Sequence, residues 1–447
     1  MTLYSKQEAL VYHSIGRPGK LEVMPSKPCR TQKDLSLAYS PGVADACNAI
    51  VRNPHDIYRY TGKSNLVGVV TNGTAVLGLG DIGPEAGKPV MEGKGVLFKV
   101  FADIDAFDIE IREKDPEKLC DVVKALEPTF GGINLEDIKG PECFQVEDTL
   151  KQCMRIPVFH DDQHGTAIIT TAGLLNALDI AGKKPSDCTI VISGGGAAAI
   201  ASGRLYKQIG VDPERILMFD SRGHIHQGRT DLSPEKKEFA VKKAWGSIAE
   251  AMKGADMFLG LSVKGAVNAD MIKRMTRKTP VVFPCANPDP EISYPDAKTA
   301  RPDAIVGTGR SDYPNQVNNV LGFPYIFRGA LDVAARTITD GMKLAAARAI
   351  ADLAKQPVPD DILEAYECRE LSFGLEYVLP TPLDPRLIET VAPAVAGAAM
   401  QEGVAAMPIT DMDDYRQCLV RRMTASHHSM DTLLRECPAN EGELVHL

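Results

Sequence analysis

Short apolar runs alternate with longer amphipathic stretches in the middle of the chain. Between residues 189 and 307 these runs are rich in Val, Ile, Leu and Phe. Such alternation is typical of a parallel sheet with helices packed on it, so the predicted fold class is α/β. A helix is predicted at residues 197–209, after the first strand. The predicted strands are residues 189–193, 215–220, 257–262, 280–284 and 304–307.

The pattern before this sheet is more varied. Residues 65–71 and 96–101 have the composition of short strands and are separated by Gly-rich turns. Residues 116–126 and 147–154 are predicted helices. A run of small apolar residues at 165–178 predicts a buried helix.

The last part of the chain is rich in Ala and predicts helices at residues 342–353 and 387–400. From residue 411 to residue 447 the chain is polar and has no clear apolar stripe. This final stretch therefore predicts a loosely ordered tail or a linker.

Composition narrows the class of protein. The 447 residues carry a formal net charge of −9, which argues against nucleic acid as the main partner. An anionic substrate would need a local cationic group or a bound metal. No apolar run approaches the roughly 18 residues that span a bilayer, and residues 1–15 do not form a signal peptide. The ten cysteines include no Cys-x-x-Cys pair. We expect a cytoplasmic protein with reduced thiols and no membrane partner.

A glycine-rich turn follows the first predicted strand. Gly194, Gly196 and Ala199 form a G-x-G-x-x-A pattern that opens the predicted helix, with Ala197 inside it. The glycines allow a tight turn and the close approach of a pyrophosphate to the helix N-terminus. Asp220 ends the next strand, roughly 20–25 residues further on, where a ribose hydroxyl binds in such folds. The alternative is a plain structural turn between strand and helix.

Two pairs of adjacent carboxylates lie next to apolar residues. Glu136 and Asp137 form one pair, and Asp161 and Asp162 form the other, just before a predicted helix. Mg²⁺ and Mn²⁺ bind oxygen ligands in octahedral geometry and keep positions for water and substrate. Helix N-capping is the alternative for either pair taken alone. The histidines at positions 160 and 164 are expected to support the second pair by hydrogen bonds.

Candidates for proton transfer and for amide contacts are less specific. Tyr39 lies in a turn, and Lys94 lies between two glycines before a predicted strand, where we expect its side chain to be exposed. A core tyrosine and a surface lysine are the alternatives. Asn287 follows a predicted strand at the carboxyl edge of the sheet, where ligands bind in doubly wound folds. Asn318 and Asn319 lie in a second Asn-rich segment, and turn formation is the alternative for these amides as well.

Six segments, taken together and in this order, resemble the malic enzymes, and the bacterial type in particular. The resemblance covers roughly residues 15–410. The segments are Tyr-Ser-Pro-Gly-Val-Ala, Asn-Gly-Thr-Ala-Val-Leu-Gly-Leu-Gly-Asp-Ile-Gly, Gly-Lys-Pro-Val-Met-Glu-Gly-Lys, Gly-Ile-Asn-Leu-Glu-Asp-Ile, Phe-His-Asp-Asp-Gln-His-Gly-Thr-Ala and Thr-Gly-Arg-Ser-Asp-Tyr-Pro-Asn-Gln-Val-Asn-Asn.

The resemblance implies a domain organisation and an assembly. It implies an N-terminal α/β substrate domain at residues 1–160, a Rossmann-type domain with a doubly wound parallel sheet at residues 161–385, and C-terminal helices with a tail or linker at residues 386–447. It also implies a homodimer or a larger homo-oligomer. In some relatives the N-terminal segment that carries the counterpart of Tyr39 reaches a neighbouring active site. Related bacterial chains often continue into a phosphotransacetylase-like domain, so we expect a short natural form or a truncated one.

The activity implied by the resemblance is oxidative decarboxylation of (S)-malate to pyruvate and CO₂, with reduction of NADP⁺ or NAD⁺ and a requirement for Mg²⁺ or Mn²⁺. Lys94 matches the general base, with a pKa expected to be lowered by burial or by the metal. Tyr39 matches the general acid. Further matches are Glu136, Asp137 and Asp162 as metal ligands, Asp161 beside them as a catalytic residue, Asn287 and Asn318 as amides that contact substrate and nicotinamide, and Gly194, Gly196, Ala197 and Ala199 as the dinucleotide loop.

The sequence leaves three points open. Many eukaryotic members carry an arginine that binds a malate carboxylate where this chain has Ala75, and the sequence identifies no replacement. Asp220 suits NAD, whereas Ser221 and Arg222 could hold the 2′-phosphate of NADP, and the resemblance favours NADP. Two other functions compete: another Rossmann-type oxidoreductase such as an amino-acid dehydrogenase, which needs no carboxylate metal site, and a sensing module, which needs neither Tyr39 nor Lys94.

Overall fold

The computed structural model describes residues 5–14, 18–287 and 289–436. The elements of the first part are α1 (Lys6–Ser14), α2 (Gln32–Ala38), α3 (Val43–Arg52), α4 (Ile57–Tyr60), β1 (Leu66–Thr71), α5 (Pro84–Ala102), β2 (Asp105–Glu110), α6 (Pro116–Ala125), β3 (Gly132–Leu135), α7 (Glu142–Cys153) and β4 (Val158–His160). Strands β1 to β4 form one parallel sheet in the order β2-β1-β3-β4.

A second sheet follows in the chain. Its strands lie in the order β10-β9-β8-β5-β6-β7, and all neighbours are parallel except the short strand β7. The elements of this part are α8 (Asp161–Ala181), β5 (Ile190–Ser193), α9 (Ala197–Gln208), β6 (Ile216–Asp220), β7 (Gly223–His224), α10 (Pro234–Lys237), α11 (Ile248–Ala251), β8 (Met257–Gly260), α12 (Ala269–Lys273), β9 (Val281–Pro284), α13 (Tyr294–Ala300) and β10 (Ile305–Val306). The five strands predicted here are confirmed, and their continuous apolar runs reflect burial on both faces of a parallel sheet.

Helices dominate the remainder of the chain. They are α14 (Phe323–Asp332), α15 (Asp340–Leu353), α16 (Asp360–Ala365), α17 (Arg386–Gln401) and α18 (Met412–Glu436). Helix α8 is almost entirely buried and packs against α9 and α15. Its Asn176 donates hydrogen bonds to the carbonyl oxygens of Ala351 (2.8 Å) and Val378 (2.9 Å), which ties the helical part to the centre of the fold.

Two sequence predictions about local structure are wrong. Residues 96–101 belong to helix α5 rather than to a strand. The buried positions of α5 include Met91, Lys94, Phe98 and Ala102, whose spacing of three to four residues is helical. A six-residue window was too short to reveal this period.

The predicted tail is helix α18 up to Glu436, and residues 437–447 lie outside the described residues. Its buried apolar positions are few, Leu419 and Met423 among them. Polar side chains complete its attachment: Tyr415 donates to Asp332 (2.7 Å), and Ser426 donates to Asp103 (2.9 Å) at the end of α5. Such contacts leave no apolar stripe for sequence analysis to detect.

No helix within the described ranges is both long and apolar enough to cross a membrane. The cytoplasmic location and the domain boundaries at residues 160 and 385 stay predictions.

The close contact of α14 with α17 generates a test of the fold. A Cβ atom on Gly329 would lie 2.4 Å from the carbonyl oxygen of Ala392 and 3.0 Å from Cβ of Val395. We expect Gly329→Ala to lower the free energy of unfolding by about 1–3 kcal/mol, because the helices must move apart. Gly397→Ala is the matched control, since a Cβ there meets nothing within 4 Å and helix propensity favours Ala by roughly 0.5–1 kcal/mol. Urea unfolding followed by circular dichroism measures both, and equal effects would contradict the close approach.

Candidate active site

The two carboxylate pairs meet because their strands are neighbours. Strands β3 and β4 run parallel, with Leu135 opposite His160, so the residues that follow both strands emerge at the same edge of the sheet. Glu136 and Asp137 follow β3, and Asp161 and Asp162 begin α8 after β4. Asp137 adopts a left-handed conformation with φ of 55°, and its backbone N–H donates to Oδ2 of Asp162 over 2.8 Å.

Lys94 lies inside this carboxylate group. Its Nζ is 2.7 Å from Oδ2 of Asp161 and 2.9 Å from Oε1 of Glu136, and it is 4.2 Å from the centre of the Phe323 ring. The residue is buried in the middle of α5, so the expectation of an exposed lysine before a strand is wrong. The following glycine serves packing instead, because a Cβ on Gly95 would lie 2.6 Å from the Leu21 side chain.

The group is electrostatically strained without a further cation. Burial raises the pKa of Glu136 to about 8, against the lowering effect of Lys94. Burial and the charge of Glu136 raise the pKa of Asp137 to about 7. Burial alone would lower the pKa of Lys94, but Asp161 and Glu136 outweigh it and the pKa is raised. Two carboxylates therefore stabilise the ammonium form of Lys94. The expectation of a lowered lysine pKa, which includes the effect of a metal, stays a prediction.

These residues fit a hard divalent cation. Oδ2 of Asp137 and Oδ1 of Asp161 are buried and have no hydrogen-bond partner among the described residues. Oxygen-only donors with excess negative charge are the ligands that Mg²⁺ and Mn²⁺ prefer. In the described part of the chain, no three side chains of this kind already converge at ligating distance. Glu136 is engaged by Lys94 over 2.9 Å and by Asn134, which donates to its Oε2 over 2.8 Å.

A buried polar network supports the start of α8 from behind. The Nε2 atom of His164 lies 2.8 and 2.9 Å from the two carboxylate oxygens of Glu147, and its Nδ1 lies 3.3 Å from Nζ of Lys343. The backbone N–H of His160 donates to the same Glu147 over 3.3 Å. Burial lowers the pKa of His164 to about 3. His164 therefore acts as a neutral hydrogen-bonding group, but its partners are Glu147 and Lys343 rather than the second carboxylate pair. Among the described residues, neither ring nitrogen of His160 has a hydrogen-bond partner. The expectation that both histidines support the second carboxylate pair by hydrogen bonds is wrong, because the His164 imidazole faces the buried network behind that pair.

Asn319, one of the predicted amide candidates, contacts the second carboxylate pair. It donates to Oδ2 of Asp161 over 3.1 Å and accepts from Thr166 over 3.3 Å. Thr166 was not among the candidates taken from the sequence. Gly165 lies between Asp161 and Asn319. A Cβ on it would be 2.3 Å from Oδ1 of Asp161 and 2.5 Å from Cγ of Asn319. The Gly-Thr pair shortly after the second carboxylate pair was the sequence feature that could have indicated these contacts. Asn318, which precedes Asn319 in the chain, accepts from the backbone N–H of Val320 over 3.0 Å. It lines the cavity that also holds Lys94.

The predicted dinucleotide loop joins β5 to α9. Gly194 has φ of 132°, and a Cβ on it would lie 2.4 Å from the carbonyl oxygen of Leu261, so only glycine suits this position. A Cβ on Gly196 would meet nothing, which leaves open space at the N-terminus of α9. Ala197 begins that helix and Ala199 is fully buried. This is the geometry that accepts a pyrophosphate.

Asp220 lies at the end of β6 but is not free. Its carboxylate accepts from Arg229 (2.8 and 3.2 Å) and from Lys236 (2.7 Å), and also from the backbone N–H of Arg222 (2.9 Å). Burial opposes ionisation, but these donors lower the pKa of Asp220 to about 2. Ser221 lies in the exposed turn, and Arg222 pairs with Asp231.

One cavity of about 460 Å³ joins the two halves of the site. Lys94, Glu136 and Asp162 line one part, and the predicted amides Asn287 and Asn318 line another, together with Ala75. Tyr39 does not line this cavity: it lies at the end of α2 and is 72% exposed. The structure therefore brings every predicted catalytic and metal-binding residue together except Tyr39.

The fold and the cavity define an α/β protein with a dinucleotide-binding sheet beside a buried lysine–carboxylate group. A family model for the malic enzyme N-terminal domain matches residues 18–119, and one for the malic enzyme NAD binding domain matches residues 163–364. The chain belongs to the malic enzyme family.

Relatives and solved structures agree with this family. The chain is 55% identical to the NADP-dependent malic enzyme of Halomonas elongata, over 91% of this chain and 96% of that one. It is also 55% identical to the NADP-dependent malic enzyme of Rhizobium meliloti, over 94% of this chain but 56% of that protein, so it spans about half the length of several curated relatives. The crystal structure of malic enzyme from Pyrococcus horikoshii superimposes with a TM-score of 0.88 at 43% identity, over 97% of this chain and 99% of that one.

The buried ion pairs of Lys94 generate a stability prediction. We expect Lys94→Met to lower the free energy of unfolding by about 3–5 kcal/mol in metal-free buffer at a pH of about 8, because it leaves buried carboxylates uncompensated. Lys88→Met is the matched control on the same helix. Lys88 pairs with Asp108 and Glu110, but its side chain is 48% exposed, so the loss should stay under about 1 kcal/mol. Urea titration of both variants measures the difference, and equal losses would show that the buried pairs do not form in solution.

Proposed function

We propose that this protein catalyses the oxidative decarboxylation of (S)-malate to pyruvate and CO₂ with reduction of NADP⁺, and that it requires Mg²⁺ or Mn²⁺. The observation that supports this most strongly is the shared cavity, in which the buried Lys94 and its carboxylates face amides at the carboxyl edge of the dinucleotide-binding sheet. Oxidation of a hydroxy acid by a nicotinamide needs a proton-accepting group and a dinucleotide-binding edge next to each other.

The proton chemistry at C2 of malate is assigned to Lys94. It accepts the proton of the C2 hydroxyl as general base. A bound nicotinamide would supply the acceptor for the hydride of C2. Lys94 must be neutral for this, so at least one of the carboxylates that hold its proton has to be engaged elsewhere. Glu136, Asp137 and Asp162 would hold the divalent cation, which when bound polarises the C2 oxygen and stabilises negative charge there. Asp161 keeps its contact with Nζ and thereby orients Lys94.

The cofactor is assigned to the loop that begins with Gly194 and to the amides. The open N-terminus of α9 would bind the pyrophosphate through backbone N–H groups and the helix dipole. Asn287 lies three residues after the end of β9, and it would orient the nicotinamide and the substrate together with Asn318. Both amides can donate and accept hydrogen bonds, so they can fix a carboxamide in one orientation.

The charges around Asp220 favour NADP over NAD. Three cations, Arg222, Arg229 and Lys236, surround the two carboxylates of Asp220 and Asp231, which leaves a formal excess of one positive charge. A Cβ on Gly195 of the dinucleotide loop would lie 3.2 Å from Cε of Lys236, so this cation lies against the loop itself. A 2′-phosphate with a charge of about −1.5 to −2 suits this cluster. The carboxylate of Asp220 is already occupied and is poorly available to a ribose hydroxyl.

Initial-rate measurements test this proposal. We expect reduction of NADP⁺ that depends on both malate and Mn²⁺, with a higher kcat/KM than for NAD⁺, and loss of the rate in excess chelator.

Asp137→Asn should abolish the Mn²⁺-dependent rate and leave NADP binding intact, because the glycine loop lies on the other sheet. Asp121→Asn, at an exposed carboxylate with no place in the cavity, is the control. Full activity of Asp137→Asn, or of the wild type in chelator, would refute the metal assignment and favour another Rossmann-type dehydrogenase.

We further propose a homodimer or larger homo-oligomer in which Tyr39 of one copy completes the cavity of another. Helices α2 and α3 leave the apolar side chains of Leu35, Leu37, Val43 and Val51 exposed. Exposed apolar side chains on the segment that carries Tyr39 favour a second copy as its partner. Among the described residues, no tyrosine lines the cavity that holds Lys94. A phenol, protonated at neutral pH, suits protonation of C3 after CO₂ has left.

Subunit mixing tests the contribution of Tyr39 from another copy. Tyr39→Phe and Lys94→Ala should each be nearly inactive alone. Mixed in equal amounts and allowed to exchange, they should regain about a quarter of the wild-type rate, because about half of the dimers carry one intact site. Mixing Lys94→Ala with Asp137→Asn is the control and should regain nothing, since both residues belong to one chain's cavity. Absence of recovery in the first mixture would place the acid within the same chain.

A further inference from the structure

Arg310 lies in a loop whose two ends are joined by a backbone hydrogen bond. The loop follows β10, and the backbone N–H of Val317 donates to the carbonyl oxygen of Thr308 over 2.8 Å. Thr308 is buried, and its side-chain oxygen accepts from the backbone N–H of Arg310 over 3.2 Å. These bonds hold the start of the loop at the cavity wall, where Arg310 is one of the lining residues.

The guanidinium group of Arg310 is oriented but not saturated. Its Nε and Nη2 atoms donate to the two oxygens of Asp312 over 2.8 and 2.7 Å, and the group lies 5.5 Å from the centre of the Tyr313 ring. A guanidinium has five N–H donors, so the two bonds to Asp312 leave three, including both on Nη1. The Arg310 side chain is 41% exposed, which leaves these donors accessible to a carboxylate.

The cavity offers few other cations to an anionic substrate. Among the described residues that line it, the cationic side chains are Lys94 and Arg310. Lys94 is buried between Asp161 and Glu136 and forms ion pairs with both carboxylates. Ala75 lines the same cavity and supplies no charge. A dicarboxylate that enters therefore meets one cation with free donors.

We propose that Arg310 binds the malate carboxylate that is retained in pyruvate, and so replaces the arginine that Ala75 cannot supply. This inference rests on the proposed function. The retained carboxylate is favoured over the departing one for a chemical reason: the departing group loses its charge as CO₂ forms. An ion pair to it would be stronger in the ground state than in the transition state and would slow the reaction. An ion pair to the retained carboxylate stays through the whole reaction.

Substrate kinetics of Arg310→Gln test the proposal. We expect the KM for malate to rise roughly 10–100-fold, the range for a lost hydrogen bond between charged groups, while the KM for NADP⁺ stays unchanged. In the reverse direction, with CO₂ and NADPH, the KM for pyruvate should rise by a similar factor, because pyruvate keeps only that carboxylate. Arg310→Lys should recover part of the loss, since it restores the charge without the fork geometry.

The chain offers a matched control in Arg204. Its side chain is also 41% exposed and also forms a fork-like pair, with Glu238 over 3.0 and 2.5 Å, but it lies outside this cavity. Arg204→Gln should leave the KM for malate unchanged. Should Arg310→Gln fail to fold, Asp312→Asn keeps the arginine and removes its orienting anion, and it should raise the KM for malate by a smaller factor.

Distinct outcomes would overturn the inference. An unchanged KM for malate in folded Arg310→Gln would remove Arg310 from substrate binding. A rise confined to NADP⁺ would assign Arg310 to the cofactor instead. A rise for malate without one for pyruvate would move the contact to the departing carboxylate. A wild-type protein that does not oxidise malate would refute the proposed function itself, and this is measured before any variant.

Discussion

A lysine buried in a protein interior keeps its charge only where carboxylates compensate for the lost water. In this chain Lys94 is enclosed by Asp161 and Glu136, and the three side chains come from a helix and from the ends of two neighbouring strands. Helix α5, strand β3 and helix α8 must therefore keep fixed relative positions. The architecture of the first sheet serves this requirement, because the parallel pairing of β3 with β4 brings the carboxylates to one edge.

Helix α8 links this group to the rest of the molecule. Its first turn presents Asp162 to the cavity and Asp161 to Lys94, while His164 on its other side is held by Glu147 and Lys343. The same helix then continues as a buried core element and packs against the helices of the second sheet and of the C-terminal part. A change in the packing of α8 would thus be transmitted directly to the carboxylates of the site.

The C-terminal helices add a second set of ties to the helix that carries Lys94. Arg328 is buried and pairs with Asp332, which also accepts from Tyr415 of α18. Ser426 of the same helix bonds Asp103 just after α5. These contacts are polar and come from residues far apart in the chain. They hold α5 against α14 and α18. The position of Lys94 therefore depends on these contacts as well as on its own ion pairs.

The sequence by itself determined the strands of the second sheet, the glycine loop and the residue types of the site. Those features are local: a continuous apolar run, a G-x-G-x-x-A turn and adjacent carboxylates each carry their signal within a few residues. It did not determine that Lys94 is buried, that residues 96–101 are helical, that Asn319 contacts Asp161, or that Asp220 is held by Arg229. Only the tertiary structure decided these, because burial and charge pairing depend on groups brought together from distant segments. The exposure of Tyr39 is the clearest case, since the chain's own fold leaves it outside the cavity that holds Lys94.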